Sequence, residues 1–495
     1  MAKRPPTPVT SDTTATPSLD PTLLRRVVVE GVQPQIDGGR FPVKRTVGEE
    51  VRVSADIFAD GHDAVAAVLR YRPAGDGRWR EAPMALIEND RWHASFIVES
   101  LGRYEYTIEA WVDRFASWRQ EFSKKVGAGQ DVSSELLEGA ALVAAAIDRG
   151  PFDTSDDHVG ETLRTIEGNG DTGSRIAAAL REDLAGFMAA RPDRSLATSF
   201  DRVLEVKVDR ERARFGAWYE MFPRSTTPDP RRSATFVEAA AILPYIASMG
   251  FDVLYLPPIH PIGRTFRKGP NNSLTSKPTD PGSPWAIGAD EGGHTAIEPG
   301  LGTIEDFDAF VAAAAAQRLE IALDVAFQTS PDHPYVDEHP EWFRRRPDGT
   351  IKYAENPPKK YQDIYPLNFE SEDWSSLWQE LKRIFEFWIG HGVKIFRVDN
   401  PHTKPFRFWE WALGDLTREH PDVILLSEAF TRPKVMKYLA KAGFTQSYTY
   451  FTWRNTRDEL VEYFTELTAT SVREYLRPNL FANTPDILHA YLQRG

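Results

Sequence analysis

The sequence predicts a multidomain protein whose catalytic part is a (β/α)8 TIM-type barrel, preceded by an N-terminal β-sandwich and a helical segment. Three observations carry this. A chain of 495 residues is longer than one hydrophobic core supports. Its residue pattern changes regime twice along its length. In the last regime short apolar strands alternate with longer amphipathic helices, and several of those strands end in an acid.

Residues 1–24 are Thr- and Pro-rich and lack an apolar segment, so they are expected to form a disordered tail and not a secretory signal. Residues 25–128 read as the β-sandwich. Val27-Val28-Val29 and the stretches 51–55, 67–71 and 104–108 are rich in strand formers, several in period two, with turns such as Ala74-Gly75-Asp76-Gly77 between them. Residues 129–205 switch to Ala- and Leu-rich segments with acidic starts. Helices are predicted over 134–147 and 174–190, packed as a hairpin or small bundle.

Residues 206–495 form the predicted barrel, with strand candidates at 216–222, 253–257, 320–327, 394–399, 423–428 and 447–452. Before Lys394, the residues Leu377, Leu381, Ile384, Phe385 and Trp388 recur on one face of a helix. Residues 330–370 interrupt the alternation. They are too long for an ordinary connection, and on a barrel such an insertion sits at the catalytic face. Candidates for about seven barrel strands are present, and the chain stops at Gly495 soon after Asp486. The expectation is a barrel truncated before its last strand, with no C-terminal β-domain and low activity for these 495 residues alone.

Composition narrows the function classes. Lys and Arg total 59 against 72 Asp and Glu, a net charge of −13, which disfavours nucleic acid and acidic membranes as partners while leaving room for a local cationic pocket. There is no cysteine, so thiol catalysis, disulfides and thiolate metal sites are excluded. No apolar run approaches the ~20 residues needed to span a bilayer. A cytoplasmic protein is expected.

The strongest local signal is Phe396-Arg397-Val398-Asp399-Asn400. Side chains alternate along a strand, so Arg397 and Asp399 share a face, and the guanidinium holds the carboxylate ionised. Alone, an R-x-D is ordinarily a structural ion pair. Here Val423-Ile424-Leu425-Leu426-Ser427-Glu428 ends in a second carboxylate one βα unit later. Ala322-Leu323-Asp324 ends in a third, and Asp486 follows in Asn483-Thr484-Pro485-Asp486. Any one of these acids by itself reads as a helix cap or loop residue. Together they fit retaining glycosidic chemistry, which needs two carboxyls about 5–5.5 Å apart, a spacing that adjacent strands supply.

Arg397-Val398-Asp399, Ser427-Glu428 and Asn483-Thr484-Pro485-Asp486 resemble the second, third and fourth consensus regions of the α-amylase superfamily, and residues 320–328 resemble the first. The resemblance implies Asp399 as nucleophile, Glu428 as general acid/base and Asp486 as the acid that grips the sugar in the transition state. The sequence departs from ordinary amylases at Asn400 after the nucleophile, at Pro485 where a His is usual, and at Gln328 in place of the Asn of an Asn-His pair. Longer strings are similar to one subfamily, the α-1,4-glucan:maltose-1-phosphate maltosyltransferases. They are His339-Pro340-Glu341-Trp342-Phe343, Ala354-Glu355-Asn356-Pro357-Pro358-Lys359-Lys360-Tyr361-Gln362-Asp363-Ile364-Tyr365, Gly263-Arg264-Thr265-Phe266-Arg267-Lys268-Gly269-Pro270-Asn271-Asn272 and Asp399-Asn400-Pro401-His402-Thr403-Lys404-Pro405.

This second resemblance implies a maltose 1-phosphate donor, an α-1,4-glucan acceptor, no metal or organic cofactor, and a homodimer. It places Asn356, Lys359, Tyr361 and Asn400 on the donor's phosphate, and Lys268, Gln328 and Asp363 on its maltosyl sugars. Taken alone, a Lys-Lys pair in a Pro-rich loop is ordinarily a solvated loop; a cation with neutral donors is also the set that binds phosphate. The rival readings are another amylase-clan enzyme, either a glucan hydrolase or a trehalose-forming isomerase, and a non-catalytic glucan-binding subunit.

Overall fold

The computed structural model describes residues 19–149, 157–229, 231–484 and 486–494. The tail expected over 1–24 thus lies mostly outside the described residues, and Pro21–Leu24 forms a single 3-10 turn capped by Asp20.

Two antiparallel-rich sheets face each other at the N-terminal end. One runs in the order Val27–Gln33, Glu50–Ala59, Arg91–Ile97, Ala85–Glu88. The other runs Val43–Thr46, Leu204–Asp209, Gly102–Val112, Val65–Pro73, Arg80–Pro83. Period-two alternation makes the core: Val51, Val53, Ala55 and Ile57 of the first sheet are buried with Leu69, Tyr106, Ile108 and Val206 of the second.

Two boundaries differ from the sequence reading. Arg114–Gly127 is a helix, not the end of the sandwich, because Asp113 caps it and Phe115, Trp118 and Phe122 recur on its buried face. Leu204–Asp209 is a central sandwich strand, antiparallel to Gly102–Val112 and parallel to Val43–Thr46, so the helices between form an insert within the second sheet. The helix expected over 174–190 is two, Thr172–Ala179 and Glu182–Ala190. Arg181 is extended (φ −59°, ψ 140°), and Glu182 and Asp183 restart the helix where acids suit its N-terminal dipole.

The helical insert has its own core, including Trp118, Phe122, Leu136, Val143, Ile166 and Phe187. Packing is closest at Gly139, where an added Cβ meets Trp118 Cζ2 at 2.2 Å. Gly139→Ala is therefore expected to destabilise the insert by about 1–3 kcal/mol by overpacking, although alanine favours helix. A thermal melt showing an unchanged or raised midpoint contradicts this.

Among the described residues, the remaining chain winds into one parallel sheet of seven strands, each paired with the next in sequence. They are β1 (Trp218–Glu220), β2 (Val253–Leu256), β3 (Glu320–Val325), β4 (Ile395–Asp399), β5 (Ile424–Glu428), β6 (Gln446–Tyr448) and β7 (Pro478–Asn479). The sheet curls, since Gln446 on β6 donates to the carbonyl of Ala213 just before β1 at 2.9 Å, and Trp218 of β1 packs with Leu426, Tyr448 and Phe481. Val253, Tyr255, Ala322, Ile395 and Ile424 cluster on the concave side, whereas Leu254, Leu323, Phe396, Val398 and Leu425 pack with the helices. In the helix Trp374–Gly390, Leu377, Leu381, Ile384, Phe385 and Trp388 are all buried, as their spacing predicts.

The sandwich is fastened to this sheet near β6 and β7. Ala440, Tyr463, Val472, Tyr475 and Leu476 share the sandwich core. Lys44 donates to the carbonyl of Ala440 at 2.7 Å, and Arg45 pairs with Glu474 at 2.7 Å. Among the described residues no helix is long and apolar enough to cross a membrane.

Candidate active site

Asp399 and Glu428 end neighbouring parallel strands, β4 and β5, and are register partners. Neighbouring strands lie about 4.8 Å apart, so the two carboxyls stand side by side at the C-terminal rim of the sheet. The strand alternation that places Ile395 on the concave side places Arg397 and Asp399 there too. Arg397 is buried beneath the carboxyls and reaches three of them. Its Nη1 lies 2.9 Å from Asp324 Oδ2 and 2.9 Å from Asp399 Oδ1, and its Nη2 lies 3.5 Å from Glu428 Oε1. Asp324, which ends the concave face of β3, also accepts from Tyr255 Oη at 2.6 Å and Trp285 Nε1 at 3.3 Å.

Burial pushes the Glu428 carboxyl up to about 7; the Arg397 guanidinium opposes this and the Asp399 charge adds to it. Burial likewise raises Asp324 to about 6, against Arg397 and with Asp399. A carboxyl protonated near neutrality beside another carboxyl is the separation of duties that acid and nucleophile require.

A cleft of about 1410 Å³ opens over this rim. Asp399, Asn400, Lys268, Gln328, Asn356, Tyr361, Asp363 and Asp486 all line it. The segment over 330–370 builds one wall. Its base is pinned where Gln328–Thr329 pairs with Tyr365–Pro366, and it carries the hairpin Ala354–Asn356 with Lys359–Tyr361. Lys268 and Asp363 are buried in a 3.6 Å pair, and Gln328 Nε2 donates to the Trp285 carbonyl at 3.2 Å. Burial raises Asp363, and Lys268 opposes the shift.

Not every expected residue reaches the cleft surface. Arg397 and Glu428 lie behind it, and Lys359 is exposed on the hairpin and outside the lining. Lys359 does share a strand face with Tyr361, two residues on, which lines the cleft. Asp486 is exposed at the rim, not packed into the carboxylate cluster.

Sequence reasoning missed several groups. Glu220 at the end of β1 holds Oε1 buried without a partner, and burial raises its carboxyl to about 7 against the Arg397 charge. Its position at a strand end was the available signal. Tyr255 and Trp285 announce nothing locally, because their contact with Asp324 exists only after three separate segments converge. Lys404 is buried in the cleft wall with Nζ on two main-chain carbonyls.

A singly wound parallel sheet with paired carboxyls on adjacent strand ends defines a barrel-type protein of the carboxylate-pair class, the arrangement that serves glycosidic bond chemistry. The comparisons carry this further. Residues 25–210, the sandwich with its helical insert, match the domain described as "Alpha-1,4-glucan:maltose-1-phosphate maltosyltransferase, domain N/S". The chain is 56% identical over 474 residues to the α-1,4-glucan:maltose-1-phosphate maltosyltransferase of Chlorobaculum tepidum, covering 95% of this chain and 70% of that protein. It is 55% identical over 479 residues to the Myxococcus xanthus protein of the same name, with 95% and 72% covered. For maltosyltransferase 1 of Streptomyces coelicolor the figure is 51% over 496 residues, with 99% and 72% covered. The chain belongs to the α-1,4-glucan:maltose-1-phosphate maltosyltransferase family.

Proposed function

We propose that this protein is a retaining maltosyltransferase. It moves maltosyl units from α-maltose 1-phosphate to the non-reducing end of α-1,4-glucans and releases phosphate. The observation that carries the reading is the Asp399–Glu428 pair on neighbouring strand ends, in a chain 56% identical to a protein of that name. In the first step the Asp399 carboxylate bonds to C1 of the donor, the C1–oxygen bond to phosphate breaks, and the proton of Glu428 goes to the departing phosphate. In the second, Glu428 takes the proton of the acceptor's 4-hydroxyl, whose oxygen bonds to C1 and displaces Asp399. Two inversions give net retention.

Asp486, at the rim, is assigned to the sugar in the transition state. Asn356, Tyr361 and Asn400 in the cleft wall, with Lys359 on the same hairpin strand as Tyr361, are assigned to the phosphate. Lys268, Gln328 and Asp363 are assigned to the maltosyl sugars. The seven parallel strands are read as part of a (β/α)8 barrel. Two further expectations go with this reading: the protein works as a homodimer, and in the cytoplasm.

The test gives the protein maltose 1-phosphate and maltohexaose and follows phosphate and product length together. Stoichiometric phosphate with glucans longer by two sugars is the expected result. Free maltose without elongation makes the protein a hydrolase, and no turnover makes it a glucan-binding relative.

A further inference from the structure

Asn400, directly after Asp399, is left-handed, with φ 41° and ψ 51°. Asparagine tolerates that region better than most residues, but the conformation still needs holding. In it, the Asn400 backbone N–H donates to Glu428 Oε2 at 3.1 Å, and its side-chain amide donates to Asp399 Oδ2 at 3.3 Å. One residue thus touches both carboxyls of the pair.

The opposite side of the same turn is held by Lys404. Its Nζ donates to the carbonyl of Asp399 at 3.3 Å and to that of Asn400 at 3.2 Å, while Thr403 Oγ1 donates to the Asn400 carbonyl at 2.8 Å. Lys404 is buried, and burial drives its ammonium down while Asp399, Glu428 and Asp324 hold it charged. An ammonium is costly to bury, and Thr403 already supplies a neutral donor to Asn400. A charge kept here at that cost, beside the reacting carboxyls and in the cleft wall, points to a role beyond closing a turn.

We infer that Lys404 is a positioning residue for the reaction. It holds the Asp399–Asn400 turn left-handed so that one N–H steadies Glu428 and one amide steadies Asp399. The inference rests on Asp399 and Glu428 acting as proposed above. The charged and titratable groups facing Glu428 are Arg397 and Asp399 from β4, Asp324 from β3, Tyr448 from β6, and Lys404 itself. Only Arg397 and Lys404 among them are cations. Removing Lys404 takes away a cation and loosens an N–H, and both losses disfavour the Glu428 carboxylate, so Glu428 keeps its proton to higher pH.

The experiment measures kcat/KM for the donor against pH in wild type, Lys404→Met and Lys404→Arg. The methionine variant is expected to lose roughly 10- to 100-fold in kcat/KM and to shift the basic limb upward by about one pH unit. Lys404→Arg keeps charge and donors and should leave the limb within about 0.3 unit of wild type. An unmoved limb in Lys404→Met, or an equal shift in Lys404→Arg, overturns the inference. Should the methionine variant fail to fold, Lys404→Gln is read the same way. If wild type releases no phosphate from maltose 1-phosphate, the function reading is what has failed. The Glu428 proton is then followed by NMR of carboxyl-¹³C glutamate, assigned with Glu428→Gln, and an unmoved titration in Lys404→Met still overturns the positioning role.

Discussion

Replacing Asp399 by Ala is expected to lower kcat/KM for phosphate release by at least about 10⁴-fold, the order seen when a covalent nucleophile is removed. The carboxylate is the atom set that must bond to C1, and no neighbour can substitute. Asp324 is buried behind Arg397 and committed to Tyr255 and Trp285, and Glu428 is committed to the proton. The fold should survive. Arg397 retains Asp324 at 2.9 Å and Glu428 at 3.5 Å, so the guanidinium is not left without a partner. A stability change of no more than about 1–2 kcal/mol is expected, for a lost hydrogen-bonded pair at a partly open rim. Phosphate release and a thermal melt are measured on the same preparation. Residual turnover within tenfold of wild type removes Asp399 from the role of nucleophile.

How much of this was legible in the sequence depended on how local each signal was. β5 stood out because both faces of a parallel sheet are buried, which makes an apolar run, here ending in an acid, and β4 because Arg397 and Asp399 interrupt and end an otherwise apolar strand. The helix Trp374–Gly390 was legible from one apolar face repeated over its whole length. β7 carries no strand signal because it is two residues long and begins with proline, too short for any period. Leu204–Asp209 was split between neighbours because its partner strands lie about a hundred residues or more earlier, and a five-residue alternation does not name its partner. The helix Arg114–Gly127 did carry a signal, Asp113 followed by Phe115, Trp118 and Phe122, but it follows a strand directly with no breaker between.

The candidate site divides the same way. Asp399 and Glu428 lie at strand ends, with Arg397 two residues before Asp399 on the same face, so local pattern and site coincide. Lys268 and Asp363 are far apart in sequence and meet only because the segment over 330–370 folds back across the rim, so their 3.6 Å pair had no local trace. Glu220 and Lys404 matter through what converges on them. A side chain's burial and its neighbours' charges are properties of the packed sheet, not of its sequence window.

Arg397→Met is expected to have the largest combined effect on stability and activity, because the guanidinium is the shared counter-charge of Asp324, Asp399 and Glu428. Methionine fills similar space but leaves buried carboxylates unpaired, and breaking such a group by removing one partner costs about 3–5 kcal/mol. The loss has a definite pH dependence. Asp324 and Glu428 are already raised to about 6 and about 7 by burial with Arg397 opposing, so without Arg397 both rise further. A carboxyl whose folded pKa lies above its unfolded value contributes stability fully present below the unfolded value and lost as pH climbs through the folded one. The variant should therefore be closest to wild type near pH 5 and fall away steadily toward pH 8. Activity should be lost throughout, since Asp399 loses the 2.9 Å guanidinium hydrogen bond that aims it. Urea melts at pH 5 and pH 8 check the sign. A stability gap that is equal at both values, or wider at pH 5, means that Arg397 serves packing and not the charge of the cluster.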